Sequence, residues 1–149
     1  MQTEICIDWF SATLLDTDKV FAALEGLGIP ALRGGWIKQD KARNGYVAMM
    51  RHSTGIEVMW SPGRELHGVH ISASGSALGE LWRQGHSPRA LIAAATMRGW
   101  RATRVDVAVD VYNSEIDIYE LKELFEAGKA ETIARRASYI QDIKSSGKT

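Results

Sequence analysis

The sequence has few of the features that mark secreted or membrane proteins. Among its 149 residues there is one cysteine, Cys6, so no internal disulfide can form, which is typical of a reducing compartment. The start, MQTEICID, lacks the basic region of a secretory signal, and the longest apolar run, around LIAAATM, is far too short to cross a bilayer. We therefore expect a cytoplasmic protein without a membrane partner.

The chain also lacks an excess of positive charge. Lys and Arg together number 18, and so do Asp and Glu, so the molecule as a whole has no net field to attract DNA. A polyanionic partner must then be bound by a local basic patch, with an affinity that falls as salt rises. The alternative is that these charges only keep the surface soluble. The candidate DNA-binding residues are Lys38, Lys41, Arg43, Arg104, Arg135 and Arg136.

Hydrophobic periodicity and turn residues predict an α+β fold. The expected strands cover residues 4–14, two arms of a hairpin within 34–52, and residues 55–60, 66–74 and 104–113, and the tail at 131–149 is expected to form a strand that runs into a polar loop. The expected helices cover residues 17–27, 76–85, 87–100 and 114–128. Asn44-Gly45 is the strongest turn signal, and Ser87-Pro88 and Ser114 are expected helix starts. Adjacent strands with short turns predict one domain over residues 1–149, with a central antiparallel sheet and helices packed on one face.

The stretch RVDVAVDVYN at residues 104–113 is unusual for a half-buried strand. Alternation puts Val105, Val107, Val109 and Val111 on one face, expected to lie in the core, and Asp106 and Asp110 on the other. Carboxylates suit a hard divalent cation such as Mg²⁺ or Mn²⁺. The alternative is that the two aspartates are solvated or paired with Arg98, Arg101 or Arg104.

Four residues of strand span about 13 Å, so Asp106 and Asp110 cannot easily hold one ion in a regular strand. Asp8 and His70, on the polar faces of their own strands, are therefore candidate further ligands. His67 falls on the opposite face of its strand from His70, so it is expected to complete the core instead of forming a metal pair.

Three segments, IDWFSATL, ISASGSALGELW and TRVDVAVDVYN, occur in this order and resemble the replication initiation factor family. These are the rolling-circle replication initiators of some plasmids, filamentous phages and integrated elements. The resemblance covers most of the chain. It implies a ferredoxin-like core, an acidic strand in the middle of the sheet, and aspartates that belong to a metal site.

The resemblance also implies an enzyme that nicks and rejoins one DNA strand. In that chemistry a tyrosine attacks a phosphodiester, which gives a 5′-phosphotyrosyl link and frees a 3′-OH to prime synthesis, and a divalent metal polarises the scissile phosphate. The implied partners are origin DNA, a helicase of the host replication machinery and a second copy of the chain.

The sequence departs from the family at the nucleophile. The family carries its tyrosine in a Tyr-Ile-Gly-Ser-Arg type segment after a glycine-rich loop. Here residues 146–149, SGKT, resemble that loop and the sequence ends, while Tyr139, in SYIQ, is not followed by Gly-Ser-Arg. We therefore expect the N-terminal portion of a longer initiator, inactive alone, with its nucleophile beyond Thr149. Tyr139 is the second candidate, and the alternative for this tyrosine is a strand residue that fills the sheet.

Two other functions remain open from the sequence. A non-catalytic module that binds single-stranded nucleic acid would present aromatic side chains on its sheet face, where we predict aspartates. A structural or regulatory domain would have its acidic strand paired with arginines.

Overall fold

In this computed structural model, residues 2–112 and 117–129 are described. The chain divides into two compact units, one of Thr3–Asp110 and one that takes in residues 1–2 and 111–149. The first unit contains nearly all of the described structure, including the candidate site. The extent of a single domain over residues 1–149 stays a prediction.

Six strands form one sheet in the described part of the chain. They are β1 (Gln2–Leu14), β2 (Trp36–Gln39), β3 (Ala48–His52), β4 (Glu57–Trp60), β5 (Val69–Ser74) and β6 (Arg101–Tyr112). Their order is β2-β3-β4-β5-β1-β6, and the pairs from β2 to β1 are antiparallel. The predicted α+β class with a central antiparallel sheet is confirmed.

The β2–β3 hairpin turns where the sequence predicted. Asn44 and Gly45 have φ angles of 56° and 80°, and the Tyr46 amide donates to the Arg43 carbonyl at 3.0 Å. Two successive residues with positive φ make the turn whose twist matches a hairpin, and Asn-Gly adopts it at low cost.

The helices are α1 (Val20–Gly26), α2 (Gly75–Arg83), α3 (Pro88–Met97) and α4 (Ile118–Glu126), with 3₁₀ turns at Pro30–Leu32 and Glu65–His67. Ser87 caps α3 as predicted, since its Oγ accepts from the Arg89 amide at 3.2 Å. At α4 the Asp117 Oδ1 accepts from the Tyr119 amide at 2.8 Å, and Ser114, the predicted cap, lies outside the described residues. No helix in the described ranges is long and apolar enough to span a membrane.

The hydrophobic core lies between one face of the sheet and helices α1, α2 and α3. The register sets Phe10 opposite Ala73 and Ala12 opposite Ile71, so these side chains share the face that the helices cover. The helices bring large apolar residues onto that face: Leu24, Leu78, Leu81 and Leu91. Helices packed on one face of the sheet are therefore confirmed.

The expectation that the valines of the acidic strand lie in the core is wrong. Val105, Val107 and Val109 are 49%, 62% and 58% exposed, and no residue of β6 belongs to the core cluster of the described residues. The physical reason is position: β6 is at the edge of the described sheet, not in its middle as the resemblance implied, while the helices pack over β1, β4 and β5.

The placement of His67 in the core is also wrong. His67 ends the exposed 3₁₀ turn Glu65–His67, and β5 begins only at Val69. Between them Gly68 has a φ of 70°, and a Cβ at this position would overlap the Leu14 carbonyl oxygen. The alternation of the strand therefore does not extend back to His67.

Candidate functional site

The face of the sheet opposite the helices carries a row of polar side chains on β1 and β5. The register pairs Trp9 with Ser74, Ser11 with Ser72, and Thr13 with His70. Because Phe10 and Ala12 point into the core, the residues between and beside them point to the other face. We call this surface the polar face.

Hydrogen bonds connect the side chains in the middle of the polar face. The Trp9 indole Nε1 donates to Ser11 Oγ at 2.8 Å, and Ser11 Oγ donates to Ser72 Oγ at 3.1 Å. Ser11 and Ser72 are both buried, so these bonds satisfy hydroxyls that have lost contact with water. The row fixes the position of the Trp9 ring.

His70 lies at one end of the row, beneath the hairpin loop. Its Nδ1 is 2.8 Å from Thr13 Oγ1, and its ring stacks on Tyr46 with 5.7 Å between centroids and 25° between planes. Burial lowers the pKa of His70 below its ordinary value, which favours the neutral imidazole. The Tyr46 hydroxyl in turn donates to the His67 carbonyl at 3.2 Å.

A shallow cleft of about 490 Å³ opens beside this histidine. It lies between the end of β1, the hairpin loop and the first residues of β6. Its lining residues are Thr13, Leu15, Tyr46, His67, Arg101, Ala102 and Thr103. An aromatic ring and a guanidinium at one open cleft are suited to a base and a phosphate.

At the other end of the row, Arg104 binds both oxygens of Asp106. The Arg104 Nε is 2.9 Å from Oδ1 and 3.0 Å from Oδ2, and Nη2 is 2.5 Å from Oδ2. The guanidinium also lies over the Trp9 ring, with 4.4 Å from Cζ to the centroid. Hydrogen bonds from Arg104 hold the pKa of Asp106 below its usual range, and Asp106 raises the pKa of Arg104. This is the arginine pairing that the sequence left open as an alternative.

Carboxylates of β1 and β6 come together near this pair. Asp110 Oδ2 is 3.8 Å from Cys6 Sγ, and the pKa of Cys6 is raised by desolvation and by the charges of Asp110, Asp8 and Glu4. Asp8 also contributes to the raised pKa of Arg104. The structure therefore brings the predicted Asp8, Asp106 and Asp110 into one acidic region.

Asp8 also touches the start of a helix. A Cβ at Gly75, the first residue of α2, would overlap the Asp8 carboxylate, so the glycine makes room for this side chain. A carboxylate at a helix N-terminus is favoured by the helix dipole.

The four predicted metal ligands do not fit a single metal site in this arrangement. His70 is held by Thr13 and Tyr46 at the other end of the row, and both oxygens of Asp106 are bound by Arg104. Within residues 2–112 and 117–129, no three side chains of His, Cys, Asp or Glu are grouped to hold an ion. The metal site stays a prediction, and it requires Asp106 to exchange Arg104 for the ion.

The predicted DNA-binding residues differ in their availability. Lys38 on β2 and Lys41 in the hairpin loop are exposed, and neither takes part in an ion pair of the described residues. Arg43 is paired with Glu57. Arg135, Arg136 and the candidate nucleophile Tyr139 lie outside the described residues.

Sequence reasoning missed part of the polar face. Simple alternation from Ile7 would put Trp9 on the same face, but Ile7 packs against the core cluster whereas Trp9 bonds to Ser11 on the other face. Ile7 and Phe10 both contact the core although they are three residues apart, so the alternation of β1 is interrupted between them. The alternation of Ser11 and Thr13 with Phe10 and Ala12 was a usable signal for this face.

No protein-family model and no curated protein matches the sequence. In structure, the chain is similar to the rolling circle replication initiator protein from Geobacillus stearothermophilus, with a TM-score of 0.71 and 19% sequence identity. The similarity covers 98% of this chain and 58% of that one, so the chain spans little more than half the length of the solved protein. The fold that the sequence resemblance implied, that of a rolling-circle replication initiator, is thereby confirmed.

Proposed function

We propose that this chain acts in the initiation of DNA replication by the rolling-circle mechanism and binds the DNA strand that is nicked. The observation that carries the proposal is the fold similarity to a replication initiator over 98% of the chain. The partners that belong to this function are origin DNA, a helicase of the host and a second copy of the chain.

The proposed chemistry of the intact protein is nicking and joining of one strand. A tyrosine oxygen attacks phosphorus, the bond to the 3′ oxygen breaks, and that oxygen leaves as a 3′-OH while the 5′ phosphate stays on the tyrosine. The reverse attack by a 3′-OH rejoins the strand. The proposed nucleophile lies in the part of the intact protein that this chain does not span, and Tyr139 is the second candidate, within the chain.

The polar face supports a role in holding the strand. Arg104 is exposed and fixed over Trp9, which places a guanidinium where it can meet a phosphate. The cleft with Tyr46 and Arg101 lies at the opposite end of the row. A strand that runs along β1 would meet both, so the phosphate backbone and a base would be held at separate points.

DNA binding through the hairpin is tested by fluorescence anisotropy with labelled single-stranded and duplex oligonucleotides over a range of salt. Lys38→Glu with Lys41→Glu should weaken binding equally across sequences. It should also reduce the salt slope by about 0.9 per lost contact on a duplex and about 0.7 on a single strand. The control is Lys19→Glu, an exposed lysine before α1, which should leave the slope unchanged. If Lys19→Glu weakened DNA binding as much as the Lys38→Glu, Lys41→Glu double variant does, the result would contradict a contact between DNA and the hairpin.

Metal dependence is part of the proposal, with Asp106 of β6 and Asp8 of the neighbouring β1 as the residues to hold Mg²⁺ or Mn²⁺. Asp110 lies about 13 Å along the same strand from Asp106, too far to share that ion. When bound, such an ion would act as a Lewis acid on the scissile phosphate. The thermal stability of the protein is measured as Mn²⁺ is added. Asp106→Asn should abolish the stabilisation by Mn²⁺. Arg104→Gln should produce it at a lower Mn²⁺ concentration, because this variant removes the guanidinium that competes for the Asp106 carboxylate.

The matched control for the metal test is Asp16→Asn, an exposed aspartate in the loop after β1. It should respond to Mn²⁺ as the wild type does. Mn²⁺ stabilisation that survives Asp106→Asn would place the ion elsewhere and refute these ligands.

A non-catalytic module for single-stranded nucleic acid is the second candidate, because Trp9 and Tyr46 are aromatic side chains on the polar face. Each base stacked on such a ring contributes about 1–3 kcal/mol. In this case Mn²⁺ should have no effect on stability or on DNA binding. Trp9→Ala should weaken binding to single strands more than binding to duplexes.

A further inference from the structure

Arg104 is held in a fixed orientation on the polar face. Its Nε and Nη2 donate to the Asp106 carboxylate, and its guanidinium lies over the Trp9 ring with 4.4 Å from Cζ to the centroid. The ring is itself fixed, because the Trp9 Nε1 donates to the buried Ser11 hydroxyl at 2.8 Å. The Arg104 side chain is still 54% exposed. Its donors are therefore oriented before a ligand arrives, which lowers the entropic cost of binding one.

Asp106 occupies one edge of the Arg104 guanidinium and leaves a second edge open. The occupied edge consists of Nε–H and one Nη2–H. The open edge is the end of the group, where an Nη1–H and the other Nη2–H point in the same direction. Among the described residues no acceptor is bound at this end. Two parallel donors of this kind fit a ligand with two acceptor atoms side by side.

A DNA strand offers two groups with such paired acceptors, the phosphate and the O6–N7 edge of guanine. The charges around Arg104 favour the base. Asp106 already neutralises the guanidinium, and Asp8 and Asp110 belong to the same acidic region. While no metal ion is bound, these carboxylates repel a phosphate, whereas a guanine edge has no net charge for them to repel.

We propose that Arg104 recognises a guanine of the bound strand, with its two terminal N–H donors on O6 and N7 of the base. The inference rests on the proposed function, because it takes DNA as the ligand of the polar face, and it adds the base that this face selects. Adenine sets an N6 donor beside N7, and thymine has O4 as its one acceptor on the corresponding edge. Cytosine has two neighbouring acceptors on its Watson–Crick edge, which pairing covers in a duplex, whereas the guanine edge is open in single and double strands.

The base preference is measured by fluorescence anisotropy in EDTA, so that no ion competes for Asp106. The ligands are labelled oligothymidylates that carry one test base at the centre. Guanine should bind roughly 5- to 140-fold more tightly than adenine, cytosine or thymine, which is the effect of one bidentate contact to a base. Hypoxanthine keeps O6 and N7 and should match guanine. Deazaguanine, which has a C–H group in place of N7, should lose most of the preference.

Two substitutions separate recognition of the base from general attraction to DNA. Arg104→Lys keeps the positive charge but lacks the parallel donors, so it should bind all of these oligonucleotides with similar affinity. Asp106→Asn removes the charge that neutralises Arg104 and loosens its orientation. It should bind every oligonucleotide more tightly at low salt, with a salt slope steeper by about 0.7, and yet prefer guanine less. The control is Arg89→Lys, an exposed arginine of α3 in the helical layer, which should keep the wild-type preference.

The outcomes distinguish the guanine contact from the function on which it rests. Equal affinity for all test bases, with a salt slope that is shallower by about 0.7 in Arg104→Gln, would assign Arg104 to a phosphate. That result would overturn the guanine contact and leave DNA binding by the chain standing. A preference for cytosine, or a guanine preference that deazaguanine retains, would overturn it as well, because other atoms of the base would then be recognised. Failure to bind any of these oligonucleotides would overturn both the guanine contact and the proposed function.

Discussion

Replacing Thr13 with valine removes one hydroxyl from the polar face and keeps the shape of the side chain. The Thr13 Oγ1 and His70 Nδ1 atoms are 2.8 Å apart, and both side chains are buried, at 8% and 9% exposure. Valine fits the strand as well as threonine does, so strand propensity changes little. The substitution therefore isolates the hydrogen bond.

The expected cost follows from what the substitution leaves behind. A lone buried polar atom costs about 1–3 kcal/mol, because it has lost water and gains no partner in the protein. For a chain of this size, each kcal/mol lowers Tm by roughly 2–5 °C. We expect a loss of about 1–3 kcal/mol in the free energy of unfolding, measured by urea denaturation and checked by calorimetry.

Two controls separate the bond from a general effect of the substitution. Thr3→Val, at an exposed position of the same strand, should change stability by less than about 0.5 kcal/mol. In a His70→Leu background, Thr13→Val should have almost no cost, because the hydroxyl has no imidazole to bind. A full cost in that background, or no cost in the wild type, would show that this bond does not stabilise the fold.

Three further predictions concern the same strands. Burial lowers the pKa of His70 in the folded protein, so the unfolded chain binds a proton at His70 more tightly. The neutral imidazole therefore contributes its full stabilisation above about pH 6.5, the pKa of a free histidine. Below that pH the free energy of unfolding should fall, by up to about 1.4 kcal/mol per pH unit. Urea unfolding at several pH values measures this slope, which should disappear in His70→Leu. Gly68→Ala should lower the free energy of unfolding by more than about 2 kcal/mol, because the new Cβ meets both a positive φ and a backbone carbonyl oxygen. Gly63→Ala is the control: it has the positive φ but open space around the Cβ, and it should cost about 1–2 kcal/mol. Equal costs would show that the structure relaxes to remove the overlap at Gly68. Arg104→Gln should return the pKa of Asp106 toward its ordinary value, as an NMR titration of the carboxyl carbon would show, and an unchanged pKa would mean that Arg104 is not its cause.

Local signals in the sequence predicted most of the fold. The Asn44-Gly45 turn and the Ser87-Pro88 helix start depend on the conformations of two or three residues, and the structure has both where they were expected. The faces of the second half of β1 and of β5 were also predictable, because apolar residues alternate there with hydroxyls and His70.

The wrong prediction for the β6 valines shows which information a local sequence pattern does not contain. Alternation tells which residues of a strand share a face, but it does not tell how much of that face the helices cover. The cover over Val105, Val107 and Val109 depends on the place of β6 in the sheet, and that place is set by pairing with β1, about a hundred residues away in sequence. Among the residues that the structure describes, the core sheet residues lie on β1 and the strands beyond it, and none lies on β6.

The acidic region was predictable in part for the same reason. The sequence singled out Asp8, Asp106 and Asp110, and the structure places them near one another because β1 and β6 are neighbours. The sequence could not tell which of Arg98, Arg101 and Arg104 would pair with Asp106. Arg104 is the arginine whose guanidinium packs on the Trp9 ring, and the position of that ring depends on its hydrogen bond to Ser11.

Arg104 is the residue at which the proposals for this protein meet, and its donor groups decide which of them are compatible. A guanidinium has five N–H donors, and the bonds to Asp106 come from Nε and Nη2, so Nη1 is left for another acceptor. Arg104 can therefore keep Asp106 and still reach a DNA phosphate. It cannot keep both oxygens of Asp106 if the same carboxylate binds an ion. Metal binding and the pair of Arg104 with Asp106 are thus alternatives at this site, whereas phosphate binding and that pair are compatible. The Arg104→Gln variant tests this, because it should strengthen the response to Mn²⁺ and weaken binding to DNA.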